Sequence, residues 1–339
     1  MTGSKVTIRD LAQHCGCSVA TISRVINNTD CVSPSLRLRV EKAIRELGYI
    51  PDSNAKTLRT KSSRIVGILI SELEHTMSAH LVAYLQNMLF SKGYTPVVCN
   101  MENHAERENY YIDMLQSINA CAMIVLIKHI VTDRLFHLDI PVIFMYRNPL
   151  NRKVDNKMVS LIQTDNYRAG CIAGDELIRL GCRRISEVRT RSVDDRVPLG
   201  RHLGLLNTLF QHNANYDETL EIISDSYVFS DALSAINCKL DQGLVADGYF
   251  CVSDILALAL VLSLTEHGYR VGENVKVIGC NDMPCALYNS RPITSIRHDI
   301  EAMCMAVMDV MERMLRGESL PPEKQIQTIP VSLVRRATT

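Results

Sequence analysis

The sequence predicts an α plus α/β chain, in which a small three-helix head and a short linking helix precede a larger body of two α/β lobes. Three observations carry this. Residues 7–48 hold three short amphipathic segments, each opened by a capping residue, the first and last closed by glycine. From residue 64 onward, short apolar runs alternate with helical stretches, the pattern of parallel sheets covered on both faces. Those runs are too many for one comfortable sheet. The length of 339 residues also exceeds one ordinary domain, and 47% apolar with 22% charged residues is the composition of a folded chain with a sizeable core.

The head follows from its local chemistry. Thr7 caps a first helix over Ile8–Cys15, where Asp10 meets the positive helix end and Ile8, Leu11 and Ala12 form one apolar stripe. Gly16 breaks it. Ser18 caps a second helix over residues 19–27, with Ile22, Val25 and Ile26 facing inward. Ser33 caps a third, with Pro34 in its first turn and Leu36, Val40, Ala43, Ile44 and Leu47 continuing it to Gly48. Two short helices joined by a tight glycine turn and braced by a third make a helix-turn-helix pattern. The outward residues of the second helix, Ser18, Val19, Ala20, Thr21, Ser23 and Arg24, are small or polar and suit a DNA major groove. Arg24 can donate two bonds to guanine or grip a phosphate, while Val19 and Ala20 can touch thymine methyl groups. The same face also fits the solvated side of an ordinary small bundle. Tyr49–Arg59 is a short helical candidate with too few apolar residues to fold alone.

Charge separates the two regions. The whole chain is neutral, with 37 Lys/Arg against 37 Asp/Glu. Residues 1–60 hold nine basic against five acidic residues, a net of +4, and the remainder holds 28 against 32, a net of −4. A cationic head on a mildly anionic body points to a polyanionic partner for the head alone. The opening residues lack the apolar run of an export signal, and no stretch approaches 18 uninterrupted apolar residues, so a cytoplasmic chain with no membrane partner is expected. The 12 Cys are scattered, with Cys99, Cys121, Cys251 and Cys304 in apolar runs, and read as reduced core thiols.

In the body, strands are expected at Ile65–Ile70, Thr95–Cys99, Ala122–Ile127, Val142–Tyr146, Met158–Gln163, Arg184–Val188, Leu220–Ile223, Tyr249–Val252 and Val275–Cys280. A late helix spans Ile300–Leu315, and the Met303, Met305, Met308, Met311 and Met314 stripe on it reads as core filler. No strand leads into a glycine-rich phosphate loop, and no nucleophile elbow, paired catalytic carboxylate or metal-ligand spacing is visible; Cys15 and Cys17 are too close and lack a second pair. No catalytic residue, metal or cofactor is therefore assigned. Two lobes with a crevice at their strand ends form a natural small-ligand site. The helix over Met77–Leu89 is apolar around much of its circumference, so one face can cover the sheet while another meets a second copy of the chain.

Taken together, TIRDLAQHCGCSVATISRVINN, VSPSLRLRVEKAIRELGYIPDSNAKTLR and the body order resemble the LacI/GalR family of bacterial transcriptional regulators, with Val19–Ala20 the pair of its galactose-repressor branch. The match is dense from Val6 to Leu58. Body landmarks are Gln163–Gly170, Arg201–Leu205, Phe250–Asp254, Ile278–Asp282 and Pro292–Ile296. The resemblance implies a helix-turn-helix head (1–49), a hinge helix (50–62) and a periplasmic-binding-protein-like core (63–339). The core's first lobe is expected at about 63–162 plus 292–322, and its second at about 163–291 plus 323–339. It further implies a repressor that binds a palindromic double-stranded DNA operator as a homodimer, under control of a small-molecule effector in the interlobe cleft. By the same resemblance, Thr7, Ser18, Val19, Ala20, Thr21, Ser23, Arg24, Asn27, Ala55 and Leu58 would contact DNA, with Leu58 wedged into a minor-groove step. Ser71, Tyr146, Arg201, Ser253 and Asn281 would line the effector site. Tyr146 and Asn281 stand where sugar-binding relatives often carry carboxylates. With Arg147, Arg189, Arg191, Arg196 and Arg201 at strand or helix ends, an anionic effector such as a sugar acid or sugar phosphate is expected, the alternative being solvated arginines around a neutral sugar. A solute-binding protein of a transport system would share the body but lack the head; a two-lobed α/β enzyme would need chemistry that is not visible.

Overall fold

The computed structural model describes residues 6–26, 32–49, 63–71, 76–126, 133–146, 156–191 and 196–339. They form two units, residues 1–63 and 64–339.

In the first unit, helices α1 (Ile8–Cys15), α2 (Val19–Ile26) and α3 (Pro34–Leu47) enclose a small core of Leu11, Ala12, Cys15, Ile22, Val25, Val40, Ala43 and Tyr49. Thr7 and Asp10 form a reciprocal cap: the Thr7 hydroxyl accepts from the Asp10 amide at 3.3 Å, and the Asp10 carboxylate accepts from the Thr7 amide at 2.8 Å. Gly16 turns with φ +58°, the left-handed conformation in which a Cβ is disfavoured. Ser18 caps α2 through the Thr21 amide at 3.1 Å. Ser33 differs from expectation. It precedes α3 with extended backbone, but its hydroxyl makes no cap bond and lies 3.4 Å from the Ser35 hydroxyl, so Pro34 alone sets the entry. The hinge segment 50–62, with Ala55 and Leu58, and Asn27 lie outside the described residues.

The second unit holds two six-stranded sheets. The first orders β11 (Ile326–Ile329), β5 (Val159–Thr164), β4 (Val142–Tyr146), β3 (Ala122–Leu126), β1 (Ile65–Ile70) and β2 (Thr95–Asn100), all parallel. Helices α4 (Thr76–Ser91) and α10 (Ile300–Leu315) cover one face, packing Leu81, Leu85, Val307 and Met311 on Ile68, Ile124 and Ile143. Helix α5 (Ala105–Ser117) covers the other through Ile112 and Leu115. The second sheet orders β12 (Val331–Val334), β10 (Thr294–His298), β9 (Lys276–Asn281), β8 (Gly248–Cys251), β6 (Ile185–Thr190) and β7 (Ile222–Ser224), parallel except for β12. Helices α6 (Asn166–Arg179) and α7 (Arg196–Gln211) lie on one face, and α8 (Phe229–Leu240) and α9 (Asp254–Glu266) on the other. A short helix, α11 (Pro322–Gln325), leads into β11.

Sheet membership corrects the expected lobe limits. Residues 294–298 were expected in the first lobe, yet β10 pairs with β9 and β12 and stays in the second sheet to His298. Residues 326–329 were expected in the second lobe, yet β11 pairs with β5 at the edge of the first sheet. The chain thus crosses between lobes at Thr164–Asn166, at His298–Ile300 and at Ile329–Val331, the last around Pro330, which cannot donate to a ladder. These strands escaped the apolar-run criterion because β10 is rich in polar residues and β11 and β12 are short and partly exposed. Met303, Met308, Met311 and Met314 are buried as expected of filler, whereas Met305 is half exposed.

Helices α6 and α7 approach so closely that glycine is obligatory. A Cβ on Gly170 would lie 1.9 Å from the Arg201 carbonyl oxygen, and one on Gly204 would lie 2.0 Å from that of Tyr167. Gly204→Ala should force the helices apart and cost about 2–3 kcal/mol, read as a lower urea midpoint; an unchanged midpoint would contradict the packing described.

Candidate functional site

The head presents one polar face. Ser18, Val19, Ala20 and Arg24 are exposed on α2, with Thr21 and Ser23 half-buried beside them. Val19 is 41% exposed, an apolar side chain held in water by a helix whose other side is core. The Ser18 and Thr21 hydroxyls share a 2.8 Å hydrogen bond at the helix start. Thr7 is exposed at the start of α1, its hydroxyl donating to Asp10 at 2.7 Å. The array offers a cationic fork, hydroxyls and methyl-sized contacts on one helix, the chemistry that reads base edges and phosphates.

In the body, Ser71, Tyr146, Ser253 and Asn281 sit at or just beyond the carboxyl ends of parallel strands, and Arg201 reaches Asn281 from α7. Ser71 follows β1 and is buried, its amide donating to the Leu126 carbonyl at 3.2 Å. Tyr146 ends β4; its side chain lies outside the described set. Ser253 follows β8, where its hydroxyl accepts from the Leu256 amide at 3.4 Å and so also caps α9. Arg201 and Asn281 meet directly. Arg201, 2% exposed on α7, donates from Nη2 to Asn281 Oδ1 at 3.1 Å, from Nε to Asn166 Oδ1 at 3.0 Å, and from Nη1 to the Val252 carbonyl.

Asn281 is held in an unusual backbone. Its φ is +102° and that of Asp282 is +53°, in the region that L-residues rarely adopt. Neighbouring bonds fix both. The Asp282 amide donates to Ser295 Oγ at 3.0 Å, and its carboxylate pairs with Arg297 at 2.6 Å and Arg336 at 2.5 Å. Just beyond, the buried Asp254 carboxylate accepts from Ser295 Oγ at 2.6 Å and the Met283 amide at 2.7 Å. Burial pushes its pKa up to about 7, against the hydrogen bonds that favour the anion.

Sequence reasoning did not assign Thr164, Asn166, Asp254 or His298 to the site. His298 ends β10, is 3% exposed, and touches Arg201 Nη2 with Nε2 (3.2 Å) and Thr164 Oγ1 with Nδ1. Burial, then the Arg201 charge, holds its pKa well below the ordinary 6.5, so the ring is neutral. The available signal was position: each of these residues sits at or immediately beyond a strand end.

Two of the expected arginines have acidic partners of their own. Arg189 pairs with Glu221 at 2.8 Å and Glu187 at 3.0 Å, and Arg191 with Asp225 at 3.2 Å; nearby acids therefore absorb both charges. Arg147 and the side chain of Arg196 lie outside the described set. The Arg189 cluster also includes His202, whose Nδ1 lies 2.5 Å from the fully buried Glu187 carboxylate, and Tyr216, whose hydroxyl donates to Glu221 at 2.7 Å. Donor atoms of Glu187, His202 and Glu221 lie within 4.8 Å of one another, close enough for a metal. Arg189 already bridges the two carboxylates, so this network carries its own cation. Among the described residues no helix is long and apolar enough to cross a membrane.

Residues 7–52 match the family described as bacterial regulatory proteins, lacI family, and residues 175–339 match the periplasmic binding protein-like domain. The chain is 28% identical over 302 residues to the HTH-type transcriptional repressor PurR of Yersinia enterocolitica, spanning 88% of this chain and 86% of that one. Its fold matches the Lac repressor dimer bound to operator and the anti-inducer ONPF, with TM-score 0.85, 23% identity and 99% of each chain covered. It also matches the transcriptional regulator CelR in complex with cellobiose, with TM-score 0.70, 26% identity and coverage of 98% of this chain and all of the other.

The buried network makes stability depend on pH. The Glu187 hydrogen bond raises the His202 pKa above the ordinary 6.5, and burial raises that of Glu187, so folding takes up a proton at this pair. The His202 contribution is full below its unfolded pKa and lost as pH rises through its folded one. Melting temperatures measured from about pH 6 to about pH 9 should fall more for the natural chain than for His202→Gln, because Asp254 and the other titrating groups contribute to both curves and only the pair to their difference. Parallel curves for the two would refute the pairing.

Proposed function

The chain belongs to the LacI family of bacterial regulatory proteins, and we propose that it binds a palindromic DNA operator as a homodimer, with a carbohydrate-type metabolite in the interlobe cleft setting its affinity. It is a DNA-binding transcriptional repressor, not an enzyme. The observation that carries the DNA assignment is the capped α1–α2 pair, which buries one side of each helix and leaves Ser18, Val19, Ala20 and Arg24 outward on the second. Thr7 would hold the adjacent backbone, and Asn27, Ala55 and Leu58 would extend the interface as the family resemblance implies.

Dimerisation would use the outer face of α4. A groove of about 660 Å³ runs along it, lined by Ala79, Ala83, Tyr84 and Met88, with Tyr84 44% exposed. A twofold pair would set two heads on two half-sites. Such a regulator works in the cytoplasm, where its operator lies.

For the effector we favour a sugar acid or sugar phosphate. Arg201 would hold its anionic group through a charge-assisted fork, with Ser71, Tyr146, Ser253 and Asn281 meeting hydroxyls. Of the five arginines singled out in the sequence, three have described side chains, and the acidic partners of Arg189 and Arg191 leave this charge complementarity to Arg201.

Two measurements test these assignments. On a duplex enriched from a random pool, Arg24→Ala should lose roughly 1–3 kcal/mol of binding, with little loss on unrelated duplex. Equal losses on both would reduce Arg24 to a phosphate grip. Calorimetric titration of a sugar and its phosphate should show the phosphate bound at least about tenfold tighter. Tighter binding of the neutral sugar would overturn the anionic assignment.

A further inference from the structure

We propose that His298 is a positioning residue that ties the ligand-contacting Arg201 to the hinge, so that movement of the arginine is transmitted to the relative orientation of the lobes. The inference rests on Arg201 as a ligand contact and adds how occupancy there would be read.

The geometry places the residue where the coupling must pass. The chain crosses between lobes at three points, and hydrogen bonds tie these crossings together. The Asp165 amide in the first crossing donates to the Ile329 carbonyl at the third, at 3.1 Å. Thr164, at the start of the first, bonds through its hydroxyl to His298 Nδ1 at the second. Arg201 reaches two crossings at once: Nε donates to Asn166 beside Thr164, and Nη2 lies 3.2 Å from His298 Nε2. Asn166 Nδ2 in turn donates to the Thr164 carbonyl at 3.3 Å.

The chemistry of the ring fixes its direction. A guanidinium has only donors, so Nε2 of His298 must accept from Arg201. The ring is neutral, and its one proton therefore sits on Nδ1 and points at Thr164 Oγ1. Cys280 Sγ lies 3.5 Å from the same Nε2, and the thiol, buried and pushed up to about 12, is a weak donor to it. His298 is thus an acceptor toward the ligand site and a donor toward the first crossing. If a ligand draws the Arg201 fork away, Nε2 loses its strongest donor in a fully buried setting, and the Thr164 bond must readjust. Rotation about the crossings is the soft response open to two otherwise well-packed lobes.

A primary amide offers an acceptor oxygen and a donor NH2 group, and so can serve both partners of the ring, whereas a thioether offers no donor. This separates a hydrogen-bond relay from mere filling of space. The full chain would carry spin labels on p-acetylphenylalanine at the exposed positions Tyr110 in the first lobe and Gln242 in the second, and interlobe distances would be measured by pulsed electron resonance. Arg201→Gln should shift the mean distance by about 2 Å or more in the natural background and in His298→Gln, but not in His298→Met. Thr164→Val, which removes the acceptor of the Nδ1 proton and so cuts the link from the other end, should abolish the shift as well. An equal shift in all backgrounds, no shift in the natural one, or loss in His298→Gln as complete as in His298→Met would overturn the proposal. The measurement uses neither DNA nor effector, so its failure leaves the DNA-binding assignment standing, and failure of operator binding leaves the relay to be judged on its own distances.

Discussion

The structure of the body depends on one constraint: the polypeptide passes between its lobes three times, and those passes lie beside the strand ends where a ligand would bind. The hinge cannot be altered at one crossing without loading the others, because the Thr164–His298 and Asp165–Ile329 bonds join them. The close approach of α6 and α7 serves this arrangement. With glycine at positions 170 and 204, the α7 backbone sits near enough to α6 for Arg201 to reach Asn166, Asn281 and His298 from a single buried position.

Electrostatics around that arginine are arranged to keep its described partners neutral. His298 is held uncharged, Asn166 and Asn281 present amide oxygens, and Val252 presents a carbonyl. The acids nearby are committed elsewhere: Asp254 to Ser295 and Met283, Asp282 to Arg297 and Arg336. The strained backbone at Asn281 is the local cost of aiming its side chain at Arg201, and the Asp282 ion pairs hold it there. In the second lobe the Glu187–Arg189–Glu221–His202 network follows a different logic, with opposite charges buried together and a proton bound between them.

Local signals were strong where chemistry is local. Thr7, Gly16 and Gly48 delimit head helices because caps and left-handed turns act within a few residues, and apolar runs marked β1 and β4 at their observed limits. They were weak where partners are distant. Ser33 looks like a cap, yet its hydroxyl turns to Ser35; β10 carries Thr, Ser, Arg and His because its neighbours, not its own hydropathy, bury it. The site divides the same way. Arg201 and Asn281 were found by position in a resembling pattern, but His298 acquires its role only when β10 is known to end beside Thr164, 134 residues earlier in the chain. Arg189 and Arg191 show the converse: their acids, Glu221 and Asp225, flank the next strand, one residue before it and one after.

Head and body make sense together if ligand occupancy in one changes DNA affinity in the other, a coupling of free energies between two sites. The most direct test is selection of bound sequences from random duplex DNA with the full chain, followed by anisotropy titration of the winner in the presence of a panel of sugars, sugar acids and sugar phosphates. A twofold-symmetric motif should emerge, and at least one of these metabolites should move its dissociation constant by about tenfold. No motif, or a motif whose affinity none of them alters, would contradict the account.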